Sequence, residues 1–212
     1  MKNNSIELVH ITTHGGKLEG MHSISTSVRR NPNCAARRNV NGSICEKCYA
    51  VTLTGIRKGL DEAISRNTDV LTARLLSMDE LPIITDEYFR LEAFGDLINE
   101  TQAINYLHIC RKNTRTRFAL WTKNPWIMAA ALKTAAKPNN LVIIYSSPMI
   151  NKAVNVRALK KLYPFIDKTF TVYDKAFAQD HNIAINCGGR HCLSCLRCYT
   201  KRTAKAVNEL LK

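Results

Sequence analysis

Between Met21 and Asn186 the sequence alternates strand-like and helix-like stretches five or six times, which restricts the chain to a few α/β architectures. "MHSISTSV" (21–28) alternates polar and apolar residues with the period of a strand. "DEAISRNTDVLTARLLS" (61–77) is spaced as a helix, with Ala63, Ile64, Val70, Leu71 and Leu75 available for one face. "EYFRLEAFG" (87–95) reads as a strand ending at a glycine, and "NETQAINYLHICRK" (99–112) as a helix capped by Asn99. "RFALWTK" (117–123) is a strand, and "PWIMAAALKTAAK" (125–137) is an alanine-rich helix that opens on proline. "NLVIIYSS" (140–147) is a continuous apolar run, as in a parallel strand buried on both faces. The pattern closes with a helix at 155–166, strands at 168–174 and 182–186, and a terminal helix from about Thr200 to Leu211. Such alternation predicts a parallel sheet with crossover helices. With no GxGxxG present, the first expectation is a small partial (β/α) barrel of about five to six parallel strands. A cysteine-rich C-terminal segment follows it, and an open doubly wound sheet is the alternative. The expected division is an α/β core over 1–180 and a metal-binding segment with the terminal helix over 181–212.

In either architecture the chemistry belongs at the carboxyl ends of the strands. Cys34, Cys45 and Cys48 follow the first strand, Gly95 and Asp96 end the second, and Thr122 and Lys123 the third. Ser146, Ser147 and Pro148 end the fourth strand, and Tyr173 and Asp174 the fifth. Asp96, Asp174 and Glu92 are candidate acids, but no histidine stands at a diagnostic spacing from them.

The eight cysteines are unevenly placed. "CGGRHCLSCLRC" carries Cys187, Cys192, Cys195 and Cys198, spaced by four, two and two residues. CxxCxxC is the spacing with which one loop wraps an iron–sulfur cubane, so a [4Fe-4S] cluster is expected here; four thiolates also suit tetrahedral zinc. Cys34, Cys45 and Cys48 offer three thiolates, enough for a second [4Fe-4S] cluster with one iron open to a small molecule. A zinc site completed by a histidine such as His22 is the alternative, as is a zinc shared by Cys45 and Cys48 with two C-terminal cysteines. Cys110, inside a predicted helix, reads as a core thiol. Tyr49 and Tyr199 each directly follow a candidate ligand, and either cover a metal site or pack in the core.

Thirty-one Lys and Arg face 17 Asp and Glu, a net charge of +14, so polyanions are favoured partners and nucleic acid is a candidate. The alternative is a merely solvated basic face. The opening "MKNNSIELVH" shows no signal-peptide pattern and no apolar run reaches membrane-spanning length, so a cytoplasmic protein without a membrane partner is expected. A reducing compartment favours cysteines as ligands over disulfides.

The order of these pieces resembles a known family. A strand, a three-cysteine loop ending CxxCYA, a strand ending in Gly95–Asp96, and then "WTKNP" is similar to the phage and mobile-element proteins of the gene product eighty-eight type, which in turn resemble small radical S-adenosylmethionine enzymes. That resemblance covers about Ser23 to Cys198. It implies an open-iron cluster at Cys34, Cys45 and Cys48 that binds S-adenosylmethionine, with Gly95 and Asp96 near its amino group. Lys123, Ser146 and Ser147 would line the barrel mouth, and the C-terminal cysteines would carry an auxiliary cluster fed by an electron donor. Ten residues separate Cys34 from Cys45, a departure from the superfamily's CxxxCxxC. The leading reading is therefore an iron–sulfur enzyme of unknown substrate. The alternatives are a zinc-stapled, non-catalytic nucleic-acid binder, or a catalytically inactive cluster protein with a regulatory role.

Overall fold

The computed structural model describes residues 8–211. One seven-stranded sheet organises the chain: β1 (Thr12–Thr13), β2 (His22–Ile24), β3 (Tyr88–Leu91), β4 (Arg117–Thr122), β5 (Leu141–Ser146), β6 (Lys168–Tyr173) and β7 (Ala206–Leu210). The strands lie side by side in sequence order. β1 is antiparallel to β2, and every later neighbour is parallel. The order never reverses, so the sheet has no switch point of the doubly wound kind.

Sequential parallel strands joined by crossovers of one hand place all the connecting helices on one face. The core agrees. Phe89, Leu91, Phe118, Leu120, Leu141 and Ile143 point to the face covered by α3 (Lys58–Ala73), α4 (Glu100–Lys112) and α5 (Pro125–Ala131). Their neighbours Ala119, Val142 and Ile144 point the other way. None of the crossover helices α3, α4 and α5 covers that second face. The C-terminal segment does, through Tyr199 and the partly buried Cys192, Leu196 and Cys198.

Several expectations need correction. The stretch from Thr200 to Leu211 is not a helix: residues 206–210 form β7, paired with β6. Residues 182–186 are not a strand; only an isolated bridge, Cys187 with Glu209, touches the sheet there. The strand at 21–28 is confined to His22–Ile24, and the helix at 61–77 runs over Lys58–Ala73. The N-terminal cysteine loop contains two helices of its own, α1 (Pro32–Arg38) and α2 (Tyr49–Ile56). Among the described residues no helix is long and apolar enough to cross a membrane.

Candidate metal and cofactor site

The segment between β2 and α3 folds over the carboxyl edge of the sheet, and its own sequence explains how. Asn31 caps α1 by accepting from the N–H groups of Asn33 and Cys34, and Pro32 occupies the first turn. The Asn31 amide donates to the Asp96 carbonyl at 2.9 Å, which ties the Cys34 helix to the end of β3. The stretch from Gly42 to Cys45 then reaches across to the loop after β5. Ile44 N–H and Ser43 Oγ both donate to the Pro148 carbonyl, at 2.8 and 3.1 Å, and Ile150 N–H donates to Gly42. Cys48 occupies the N-cap position of α2 without a side-chain capping bond, and the Tyr49 hydroxyl donates to the Ala93 carbonyl.

This folding brings the three N-terminal cysteines to one edge. Cys34 is buried, and Cys48 packs with it against Val28, Ala50 and Phe94. Burial, and then the negative charge of Asp96, push the Cys34 thiol up to about 12; nearby Lys123 opposes the shift. Cys45 and Glu92 also face this thiol.

Asp96 and Gly95 are committed to internal contacts. Asp96 Oδ1 accepts from Thr122 Oγ1 (2.6 Å) and Leu97 N–H (2.8 Å), while Oδ2 accepts from Lys123 N–H (2.9 Å). The β3 and β4 ends are thereby locked together behind Cys34. At Gly95 a Cβ would lie 2.4 Å from the Thr26 carbonyl oxygen, so only glycine allows this approach of the two backbones. Ser146 is buried, and the Ser147 hydroxyl donates to the carbonyls of Met149 and Lys152. After α6 (Val156–Leu162) and β6, Asp174 caps helix α7 (Lys175–Asp180). The His22 ring meets Asp86 at 2.6 Å, towards the amino end of β2 and away from the cysteine loop.

The four C-terminal cysteines, two of them in the short helix α8 (Cys192–Cys195), line one cavity of about 30 Å³ on the second sheet face, together with Lys17, Trp121 and Tyr199. None of the N-terminal cysteines lines it. Lys17 Nζ donates to Cys187 Sγ at 3.2 Å and pairs with Glu209. Burial pushes the Cys198 thiol up to about 12, and neighbouring Cys187, Cys192 and Cys195 add to the shift. Tyr199 is a core residue: its ring packs edge-on against Tyr88 and Trp121, and its hydroxyl donates to Met21 Sδ. Cys110 is fully buried in the helix-side core, as read from the sequence. All eight cysteines are free thiols. As placed, no set of three His, Cys, Asp or Glu side chains among the described residues converges to hold a metal ion.

Two groups were not singled out from sequence as site residues. Arg90 lays its guanidinium over the Trp121 ring at 4.0 Å, and its charge is felt at Tyr49, Cys192 and Cys198. It is thus a cation between the two cysteine groups. The alternation in "YFRLEAF" already put Arg90 on the face opposite Phe89 and Leu91. His14 sits nearby, its Nε2 2.7 Å from Ser23 Oγ. Burial and then Arg90 hold it down to about 4, so it stays neutral.

Fold and site together define a class: a mostly parallel α/β protein with a three-thiol loop over the carboxyl edge of its sheet and a four-thiol segment against one face. Within that class, residues 11–209 match the family model described as gene product 88, and the chain belongs to that family. No curated protein and no solved structure matches it.

Proposed function

We propose that the protein is an iron–sulfur protein of radical S-adenosylmethionine type, built on part of a (β/α) barrel and working in a reducing cytoplasm. The observation that carries this reading is the setting of Cys34. It is a buried thiol at the carboxyl edge of a parallel sheet, packed with Cys48 and facing Cys45, Asp96 and Lys123. The donor chemistry suits a cluster, since thiolates in a group of three and a group of four are its usual ligands.

Cys34, Cys45 and Cys48 would hold a [4Fe–4S] cluster with one iron lacking a protein thiolate, and S-adenosylmethionine is the candidate to complete it. When bound, that pair supplies one-electron cleavage of a sulfonium. The chain's own residues supply the setting. Lys123 offsets thiolate charge beside Cys34. Asp96 holds the β3 and β4 ends in register through Thr122 and the Lys123 N–H, so the edge is rigid. Ser43 and Pro148 tie the loop to the end of β5.

A second reading concerns the C-terminal thiols. All four line one cavity, and four thiolates from one short segment also suit a single tetrahedral zinc ion. Zinc there would make the segment a structural staple.

Protein purified without oxygen, then assayed for iron, acid-labile sulfide and zinc, tests both readings. The expected result is iron and sulfide that Cys48→Ser removes while the C-terminal metal stays, and a C-terminal metal that Cys195→Ser removes. The electron paramagnetic resonance spectrum of the reduced protein should change on addition of S-adenosylmethionine. No iron after reconstitution ends the cluster reading. An intact cluster whose spectrum ignores saturating S-adenosylmethionine ends the radical assignment alone. Equal loss of both metals in Cys48→Ser refutes two separate sites.

A further inference from the structure

Two large aromatic rings stand exposed among the described residues, Tyr49 at 57% and Trp126 at 47%, and both lie on the carboxyl edge of the sheet. Tyr49 opens α2 beside the end of β3, and Trp126 follows the end of β4. Neither ring is loose. The Tyr49 hydroxyl is anchored on the Ala93 carbonyl. Arg37 reaches over Trp126 at 5.6 Å while its guanidinium donates to the Lys123 carbonyl and Asn124 Oδ1.

The same edge is basic. Arg37, Arg38, Lys47, Lys123 and Lys152 all project from its loops and helices, and among the described residues none of them forms an ion pair. The acids at this edge are mostly occupied elsewhere: Glu92 and Asp96 are buried, and Asp174 caps α7. Part of the dispersed +14 thus acquires a location, beside exposed aromatic rings.

We propose that this edge binds single-stranded nucleic acid, with bases stacking on Trp126 and Tyr49 and phosphates meeting the unpaired cations. Exposed ring faces accept bases only where the bases are unstacked from one another, so a single strand fits and a duplex does not. Arg37 over Trp126 adds a cation to the stacking platform. The proposal deepens the reading of the same edge by naming a substrate class, and it rests on that reading only for what is done to the strand. Binding requires neither cluster nor S-adenosylmethionine, so either idea can fail alone.

The test is fluorescence anisotropy with a labelled oligothymidine, at several salt concentrations, on the full chain. Wild-type protein should bind with a steep salt dependence, and Lys152→Gln should reduce the logarithmic slope by about 0.7, the value for one single-strand phosphate contact. Trp126→Ala should weaken binding about tenfold, whereas Trp126→Phe keeps most of it. Lys133→Gln, on the exposed far end of the α5 segment, should bind as wild type. Quenching of tryptophan emission by the same oligonucleotide reads stacking in the unmodified protein, so the result does not depend on how well Trp126→Ala folds. Duplex DNA or inorganic polyphosphate that competes as well as the single strand overturns the proposal. So does unchanged binding by a folded Trp126→Ala protein, absent quenching, or absent binding at low salt.

Discussion

Replacing Gly95 by alanine should damage the fold itself, and the structure says by how much. The added Cβ would stand 2.4 Å from the Thr26 carbonyl oxygen, 2.6 Å from Glu92 Oε2 and 2.9 Å from Thr26 Oγ1. Ordinary contact begins near 3.4 Å, so the backbones must part by about 1 Å. The first obstacle is a main-chain carbonyl, which cannot rotate away. Moving residues 93–96 stretches the bond from Ala93 N–H to Ser25 Oγ, the Asn31 amide on Asp96, and the Asp96 bonds to Thr122 and Lys123. Overpacking costs about 1–3 kcal/mol and each weakened buried hydrogen bond about 1 kcal/mol, while the entropy gain of glycine to alanine returns less than about 1 kcal/mol. The net loss is about 3–4 kcal/mol. At roughly 2–4 °C per kcal/mol for a chain of this size, the melting temperature falls by about 10 °C. Gly59→Ala is the internal comparison: nothing lies within 4 Å of its Cβ, it sits in the first turn of α3, and it should be neutral or slightly stabilising. Calorimetry on the two variants decides the matter. Gly95→Ala melting with wild type would refute the steric reasoning and return Gly95 to a purely ligand-facing role.

Glu92 gives a pH dependence. Burial raises its carboxyl from 4.5 to about 7, against the hydrogen bonds from Tyr106 and Thr26, so the fold favours the protonated form. This contribution to stability is complete below pH 4.5 and is lost as pH rises to about 7. Glu92→Gln should therefore gain about 3 kcal/mol relative to wild type across that window, whatever constant offset it carries, and a pH-independent difference in urea unfolding would contradict this. Cys110, fully buried with its thiol pushed well above its ordinary value, should be the last cysteine to react with a thiol reagent in native protein. Cys110→Ala should leave metal content unchanged; early labelling, or metal loss in that variant, would move it into the site.

The middle of the sheet was legible because its strands are continuous apolar runs between capped helices. "NLVIIYSS" has no other place than a parallel strand buried on both faces, and Asn99 does cap its helix. The C-terminus misled because Ala206, Glu209 and Leu210 suit a helix, yet β6 offers a free edge and β7 fills it. Tertiary pairing overrode a weak local preference. Residues 182–186 show the converse: "NIAIN" has strand composition, but Asn208 takes the N–H groups of Asn186 and Cys187, and the sheet position belongs to β7. The helix holding Cys34 was announced by Asn31–Pro32, a cap followed by proline in the first turn, inside a stretch that reads as a plain loop when attention is on its cysteines. Glu92 reads in sequence as a candidate acid. Its burial depends on Thr26 after β2 and on Gln102 and Tyr106 of α4, two distant segments that no local pattern brings together.

The winding of the chain also explains why four cysteines lie where they do. Crossovers of one hand send α3, α4 and α5 to one side and leave the other face of β4 and β5 bare. A sheet of this width does not close on itself to bury Ala119, Val142 and Ile144, so another segment must cover them. The cover is short, and its apolar content is small: Leu196 and Tyr199 face the sheet, while Leu193 stays partly exposed. Burying two such side chains contributes only a few kcal/mol, less than ordering about a dozen residues costs. A metal held by Cys187, Cys192, Cys195 and Cys198 would make up that deficit, because binding to a thiolate site is coupled to folding of the loop that carries it. On this argument a metal bound there would stabilise the sheet as a whole, and Lys17 and Arg90, the cations near those sulfurs, would offset the charge that thiolate ligands bring onto an otherwise apolar face.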